Sequence, residues 1–304
     1  MGTIKWILIA IAIAYFIFIV VNGYKNAKRI TSKRIYSDFH VHSKFCDGQD
    51  ELEDIVKAAI EKNMPKLGFS SHSYLPKEKD WPMSPEGTKE YKNQVNELKE
   101  KYKNDIDILL GVEQDYWSLA DDLEDYDYVI GSVHAIYEKD TVNSAVDGAS
   151  EIFNYAVEHY FNGDRMAAAE RYFELVSDLY DKTKCDVIGH FDLITKYNEK
   201  FMNEQGIPFV DTEDLRYIEA ERKALEKLVA TPVIFEINTG GMGRGFRTTP
   251  YPSERVLQFL SEHNTPVILS SDAHSKDNLC YAFDEVIELV KKYNLNLVLD
   301  PRIK

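Results

Sequence analysis

An α/β barrel is the fold class this sequence predicts, and three observations lead to it. Seven short apolar runs alternate with amphipathic stretches of helical spacing, the pattern of repeated βα units around a parallel sheet. Each run ends in polar residues able to hold a metal or a substrate, and six of the eight histidines sit at those ends. Seven such units predict a distorted, seven-stranded, TIM-like relative of the eight-stranded barrel, in which residues distant in sequence meet at the C-terminal ends of the strands.

Taken in order, the first element is of a different kind. Residues 6–21 (WILIAIAIAYFIFIVV) form an uninterrupted apolar run, slightly short of the roughly 20 residues a spanning helix needs, and Ile4 and its neighbours extend it. The expectation is an N-terminal transmembrane helix within 1–23 that meets the lipid bilayer through residues 4–22. A cleaved signal peptide is the rival reading, but Ala10, Ala12 and Ala14 lie inside the run, where cleavage would halve the apolar segment. Lys25, Lys28, Arg29, Lys33 and Arg34 then make a basic juxtamembrane linker over 24–34, against Lys5 and the amino terminus on the other side. The positive-inside rule predicts a membrane-anchored, single-pass protein with its catalytic domain in the cytoplasm.

From 35 to 304 there is no low-complexity segment, repeat or second linker, so one domain is expected. Strands are expected over 36–41, 66–69, 106–112, 128–133, 186–189, 233–237 and 266–269, with a terminal run at 296–298. Helical spacing between them is clearest over 51–63, 165–182 and 212–229. The strand ends carry the chemistry: HVH at 40–42, SSH at 70–72, GVE at 111–113, SVH at 132–134, GH at 189–190, EIN at 236–238 and SSDAH at 270–274.

Composition narrows the function. A chain of 304 residues, 44% hydrophobic, has enough apolar content for a real core. With 36 basic and 51 acidic residues the net charge is −15, which argues against broad binding to nucleic acid phosphates. An anionic substrate would need a local positive centre. Cys46, Cys185 and Cys280 are odd in number and lack a CxxC spacing, so neither a disulfide framework nor a structural zinc ribbon is expected.

His40, His42, His72, His134, His190 and His274 are joined at the strand ends by Asp47, Glu113 and Asp272, nine potential ligands in all. Imidazole nitrogen and carboxylate oxygen suit Zn, Mn or Fe, and a bridging carboxylate can hold two cations roughly 3.5–4 Å apart. Nine donors exceed the needs of one ion, so two to three divalent ions are expected. One histidine at a strand end is usually a satisfied polar residue; six at successive ends are poorly explained by coincidence.

The ordered set DFHVHSKFCDG, GFSSHS, GVEQDY, IGSVH, DVIGHFDLI, EINTGG and LSSDAH resembles the PHP (polymerase and histidinol phosphatase) superfamily, and within it the histidinol-phosphatase branch. The resemblance runs from about Tyr36 to the last helix. It implies a (β/α)7 barrel with a trinuclear site: His40, His42, Glu113 and Asp272 on one ion, Glu113, His134 and His190 on a second, and Asp47, His72 and His274 on a third. It also implies hydrolysis of a small phosphorylated metabolite, L-histidinol phosphate in histidine biosynthesis, by a metal-bridged hydroxide. The N-terminal anchor departs from the family pattern. Two alternatives stay open: another phosphoesterase of the superfamily, acting on phosphotyrosine or nucleotides, and a membrane-tethered metal-binding module without turnover.

On the substrate side, the glycine-rich stretch 238–253 lets its backbone approach a ligand while Arg244 and Arg247 reach for phosphate, with Arg244 favoured. Lys196 is a weaker candidate. Asp38, two residues before His40, is read either as orienting a ligand imidazole or as salt-bridging, and Asp192 is equally ambiguous. His159, His263 and Cys46 are read as structural. The aromatics Tyr155, Tyr160, Phe161, Tyr172 and Phe173 are read as core, with a pocket wall or lid as the alternative.

Overall fold

Short apolar runs punctuated by helices leave little choice but parallel pairing, since each crossover returns the next strand in the same direction. The computed structural model, which describes residues 36–119, 123–137 and 145–303, has seven parallel strands paired in sequence order. They are β1 (Lys66–Phe69), β2 (Asp107–Asp115), β3 (Tyr128–Ser132), β4 (Val187–Ile188), β5 (Ile234–Asn238), β6 (Pro266–Ser270) and β7 (Asn296–Leu297). The sheet curls into a half-barrel of the TIM-like α/β class. Among its covering helices are α1 (Leu52–Glu61), α2 (Pro85–Lys101), α3 (Ser150–Tyr160), α4 (Arg165–Ser177), α5 (Leu179–Thr183) and, after β4, α6 (Asn198–Gln205) and α7 (Leu215–Leu228).

Period-two alternation divides each strand between two cores. One face supplies a small apolar plug of Phe39, Leu109, Tyr128, Ile130, Val187, Ile234 and Ile268. The opposite faces pack against the helices in the larger cluster, which holds Leu67, Phe69, Val112, Val129, Phe235 and Val267. Tyr128 fills the plug, its hydroxyl donating to the carbonyls of Phe39 (2.6 Å) and Phe69 (3.1 Å). Residue 111 is glycine because a Cβ there would sit 2.3 Å from that ring. Steps of two residues along the plug-facing side lead from Leu109 through Gly111 to Glu113, from Ile130 to Ser132 and from Ile234 to Glu236. Apolar filling therefore gives way to charge at the C-terminal end of the sheet.

Three expectations need correction. The run 36–41 forms no strand: Gly68 N donates to Asp38 O (2.8 Å) and Ser70 N to Val41 O (2.9 Å), while His42 N donates to Ala273 O (2.9 Å). Shared between β1 on one side and Ala273, three residues past the end of β6, on the other, it makes isolated bridges, and the seventh strand is the terminal run at 296–297. The helical stretch 165–182 breaks at Asp178, whose carboxylate accepts from Tyr116 Oη and Lys227 Nζ at 3.1 Å each.

The third correction concerns location. The anchor expected over 1–23, its bilayer contact through 4–22 and the basic linker 24–34 lie outside the described residues. Among the described residues no helix is long and apolar enough to cross a membrane. The expected membrane-anchored location with a cytoplasmic catalytic domain is withdrawn on that finding.

Candidate metal centre

His40 and His42 flank Val41, which is buried in the helix-side core, so alternation sends both imidazoles to the same side of the strip. Glu113 lies near the end of β2, and His72, His134, His190, Asp272 and His274 follow β1, β3, β4 and β6. Asp47 sits in a tight loop before α1, where Cys46 N and Gly48 N donate to Ser43 O and Gln49 N donates to His274 O (2.8 Å). The loop is thereby tied to the one that carries Asp272 and His274.

Glu113, 1% exposed, is the centre of the arrangement. Its Oε2 lies 3.2 Å from His40 Nε2, 3.5 Å from His42 Nε2 and 2.9 Å from His72 Nδ1. Its Oε1 lies 3.3 Å from His134 Nε2 and 3.0 Å from His190 Nε2, and accepts from Ser132 Oγ at 2.6 Å. One carboxylate thus faces five imidazoles, two groups on its two oxygens. Asp272 Oδ1 is 3.1 Å from His42 Nε2 and 3.4 Å from His274 Nδ1. Asp47 completes the ring with Oδ1 3.5 Å from His72 Nε2 and Oδ2 3.2 Å from His274 Nε2. All nine predicted ligands are brought together.

The donor set fits bound cations. Buried polar atoms normally have partners, yet His40 Nε2, His42 Nε2, His72 Nδ1 and Glu113 Oε2 are buried, mutually close and without a hydrogen bond. Three sets of donors lie within 4.8 Å of one another: His42, Asp47, His72 and His274; His40, His42 and Glu113; and His72, Glu113 and His134. Charge points the same way. Burial opposes ionisation of Glu113, but His40, His72 and His134 hold its carboxyl well below the ordinary range. Burial, then His274 and His72, push His42 down to about 3, leaving that ring neutral with a free lone pair. Around His40 and His134 burial is outweighed by carboxylates, led by Glu236 and Glu113 respectively, and both pKa values rise. Such a nest of ionised carboxylates is balanced either by protons on its imidazoles or by metal cations.

The family model described as "PHP domain" matches residues 38–240, the stretch that carries seven of the nine donors. The chain belongs to the PHP domain family. Among curated proteins, this PHP domain protein is 31% identical over 260 residues to the "Probable histidinol-phosphatase" of Schizosaccharomyces pombe, covering 77% of this chain and 79% of that one. It is 23% identical over 274 residues to the histidinol-phosphatase of Bacillus subtilis, covering 83% and 98%. Two solved structures share the fold. The HisK chain of Listeria monocytogenes superposes with a TM-score of 0.69 at 22% identity, covering 82% of this chain and 99% of that one. The histidinol phosphate phosphatase of Lactococcus lactis, solved with zinc, L-histidinol and phosphate, gives 0.59 at 20% identity, covering 88% and 97%.

Two supporting residues of this PHP domain escaped the sequence reading. His40 Nδ1–H donates to Glu236 Oε1 (2.5 Å), and Glu236 Oε2 accepts from His190 N and Asn238 Nδ2 at 3.0 Å each. Asp115 Oδ2 accepts from both Nδ1 and the backbone N of His134 at 3.1 Å. Each carboxylate takes the Nδ1–H of its imidazole and leaves Nε2 as the ring atom that faces Glu113. The signal was present: Asp115 stands two residues beyond Glu113, and Glu236 lies on the plug-facing side of β5. Asp38, expected to orient an imidazole or to salt-bridge, does neither. It accepts from the backbone N of Ser271 (3.0 Å) and of Cys280 (2.8 Å) and from the Ser271 hydroxyl, holding the turn where Asp272 adopts φ +49°. Asp192 likewise accepts from a backbone donor, Ser253 N at 2.9 Å.

The three basic candidates separate. Arg244 Nη2 donates to Asp272 Oδ2 (3.0 Å), and its side chain lines a cavity of about 300 Å³ above the donors, with Glu78, Trp81 and Asp147 among the other walls. Arg247 donates to Thr195 Oγ1, packs its guanidinium 4.3 Å from the Tyr251 ring and lines a neighbouring cavity instead. Lys196 is buried, with Nζ donating to Asp147 O (2.5 Å) and 4.3 Å from the Phe246 ring, and burial lowers its pKa. The residues read as structural are so: the Nδ1–H of His159 and of His263 donates to the carbonyl one helical turn back. Burial pushes the Cys46 thiol up to about 11, so it stays protonated. Tyr172 and Phe173 are core, whereas Tyr155 is exposed against His159.

Proposed function

We propose that this PHP domain is a metal-dependent phosphatase that hydrolyses L-histidinol phosphate to L-histidinol and phosphate, a step of histidine biosynthesis. The observation that carries the reading is the convergence of five imidazoles on the two oxygens of Glu113, with unpartnered ring nitrogens buried beneath an open cavity. The histidinol-phosphatase relatives, and the bound zinc, L-histidinol and phosphate of the Lactococcus neighbour, support it.

In this reading His40, His42, Glu113 and Asp272 hold one divalent ion, Glu113, His134 and His190 a second, and Asp47, His72 and His274 a third. Zinc, manganese or iron bound there supplies positive charge for the phosphoryl oxygens and acidifies a water for attack at phosphorus. The chain's own residues do the rest. Arg244 presents its guanidinium to a phosphoryl oxygen beside Asp272. Glu236 and Asp115 hold the imidazoles of His40 and His134 in place, while Lys196 and Arg247 stand behind the cavity, bracing the chain at Asp147 O and Thr195 Oγ1. The catalytic domain spans 35–304, and the curled sheet together with the strip at 38–42 is read as a distorted (β/α)7 barrel.

A substrate panel tests the assignment. The full chain, loaded with Zn, Mn or Fe, is expected to release phosphate from L-histidinol phosphate with a higher kcat/KM than from a phosphotyrosyl peptide or a nucleoside monophosphate. A preference for either of the latter would move the protein to another branch of the family.

A further inference from the structure

The cavity above the donors contains more negative charge than phosphate binding explains. Among the described residues lining it, Arg244 is the one Lys or Arg, and it is already engaged with Asp272. Beyond the metal donors the walls include two carboxylates, Glu78 and Asp147, together with the Trp81 indole and the apolar side chains of Ile152 and Leu193. These carboxylates belong to none of the proposed ion sets.

Both are held in place by other groups. Tyr137 Oη donates to Glu78 Oε1 at 2.8 Å. Asp147 is anchored through its backbone: Val146 N donates to His134 O (2.8 Å) and Lys196 Nζ donates to the Asp147 carbonyl, so the lysine bonds the main chain rather than the carboxylate. Burial, then Glu78, then Asp115 and Asp147 raise the Tyr137 phenol, a sign of the negative field in this wall. The Trp81 ring stands edge-on to His72, with centroids 4.7 Å apart, and so covers the donors from the same side.

A phosphate dianion is repelled by such a wall, and a neutral alcohol would give no counter-charge to Asp147 or to Glu78, whose Oε1 accepts from the uncharged Tyr137 hydroxyl. We propose that Glu78 and Asp147, with Trp81 beside them, select phosphate monoesters whose alcohol carries a positive charge. The carboxylates pair with the cationic group, the indole face covers it, and the phosphoryl end is left to Arg244 and the metal site. The inference rests on the phosphatase reading of the same cavity and adds to it the charge of the leaving group.

The test compares kcat/KM for two amine-bearing esters, L-histidinol phosphate and O-phosphoethanolamine, with that for p-nitrophenyl phosphate and ethyl phosphate. It uses the metal-loaded full chain and its Glu78→Gln/Asp147→Asn variant. The wild type is expected to favour the amine esters, and the variant to reduce the ratio of amine to uncharged ester by about tenfold or more, the loss of charge-assisted bonds. Binding of L-histidinol, followed by calorimetry, should weaken by a similar factor in the variant, and this readout does not depend on turnover. A ratio and an affinity that change by less than twofold in a folded variant overturn the inference. If O-phosphoethanolamine shows the effect but L-histidinol phosphate is not hydrolysed, the charge selection stands and the substrate assignment falls.

Discussion

Replacing Glu236 with glutamine changes one oxygen to an amide nitrogen and disturbs a specific proton balance. Three donors converge on the native carboxylate: His40 Nδ1–H on Oε1, and His190 N and Asn238 Nδ2 on Oε2. Glutamine offers one acceptor and two donors. If its oxygen stays with the two donors that share Oε2, its NH2 group faces His40 Nδ1, which must then give up its proton to accept. The proton moves to Nε2, the atom 3.2 Å from Glu113 that the metal reading needs as a lone pair. If the amide turns over, two donors lose their acceptor inside a buried site. Loss of a carboxylate that orients a ligand histidine typically costs about 10–100-fold in metal affinity or activity, about 1.4–2.7 kcal/mol. Titration calorimetry of the metal-depleted chain with Zn or Mn measures the affinity, and a thermal melt checks the fold. Affinity and turnover within twofold of wild type, in a folded Glu236→Gln protein, would refute the reasoning.

Gly240→Ala would place a Cβ 2.6 Å from Asp272 Oδ2 and 2.7 Å from its Cβ, displacing that carboxylate at an overpacking cost of about 1–3 kcal/mol; bound metal per chain should fall, and unchanged metal content would count against it. Arg244→Ala is expected to raise KM for a phosphate monoester by about tenfold or more through loss of a charge-assisted bond, and steady-state kinetics with KM and kcat both unchanged would remove Arg244 from the site. Arg255→Ala strands the buried Glu221, whose carboxylate accepts from Arg255 Nε at 2.7 Å, at a cost of about 1–3 kcal/mol. Burial raises Glu221 from 4.5 to about 7 despite Arg255, so the native state binds that proton more tightly than the unfolded chain and stability falls as pH rises between those values. The Tm loss of the Arg255→Ala variant should therefore be larger at pH 8 than at pH 5, and equal losses would contradict the assignment.

The donors were legible in the sequence because each stands at or just beyond the end of an apolar run, and a parallel α/β sheet gathers those ends in one place whatever the details between them. Strand β1 at Lys66–Phe69 matches the expectation residue for residue, since a short run between a proline turn and a serine pair leaves little latitude. The strip at 36–41 reads identically as text. Its fate depends on two partners, β1 and the turn after β6, that only the folded chain brings together. Glu236 and Asp115 were harder to see for a related reason. A carboxylate that supports a ligand is distinguished from one that binds the metal by which atom faces the imidazole, and spacing along a strand does not encode that. Arg244 and Arg247 are three residues apart in one glycine-rich loop, yet the first lines the donor cavity and the second turns to Thr195 and Tyr251. Loop direction, not residue type, separates them.

The most direct measurement is inorganic phosphate released from L-histidinol phosphate by the metal-loaded full chain, alongside its Glu113→Gln variant and a chelator-treated sample. The account predicts turnover by the loaded wild type, its loss with the chelator, its return on adding Zn or Mn, and a loss of orders of magnitude in the variant, because Glu113 is the carboxylate on which five imidazoles converge. A metal-loaded wild type that releases no phosphate, or a Glu113→Gln variant that retains near-normal turnover, would contradict it.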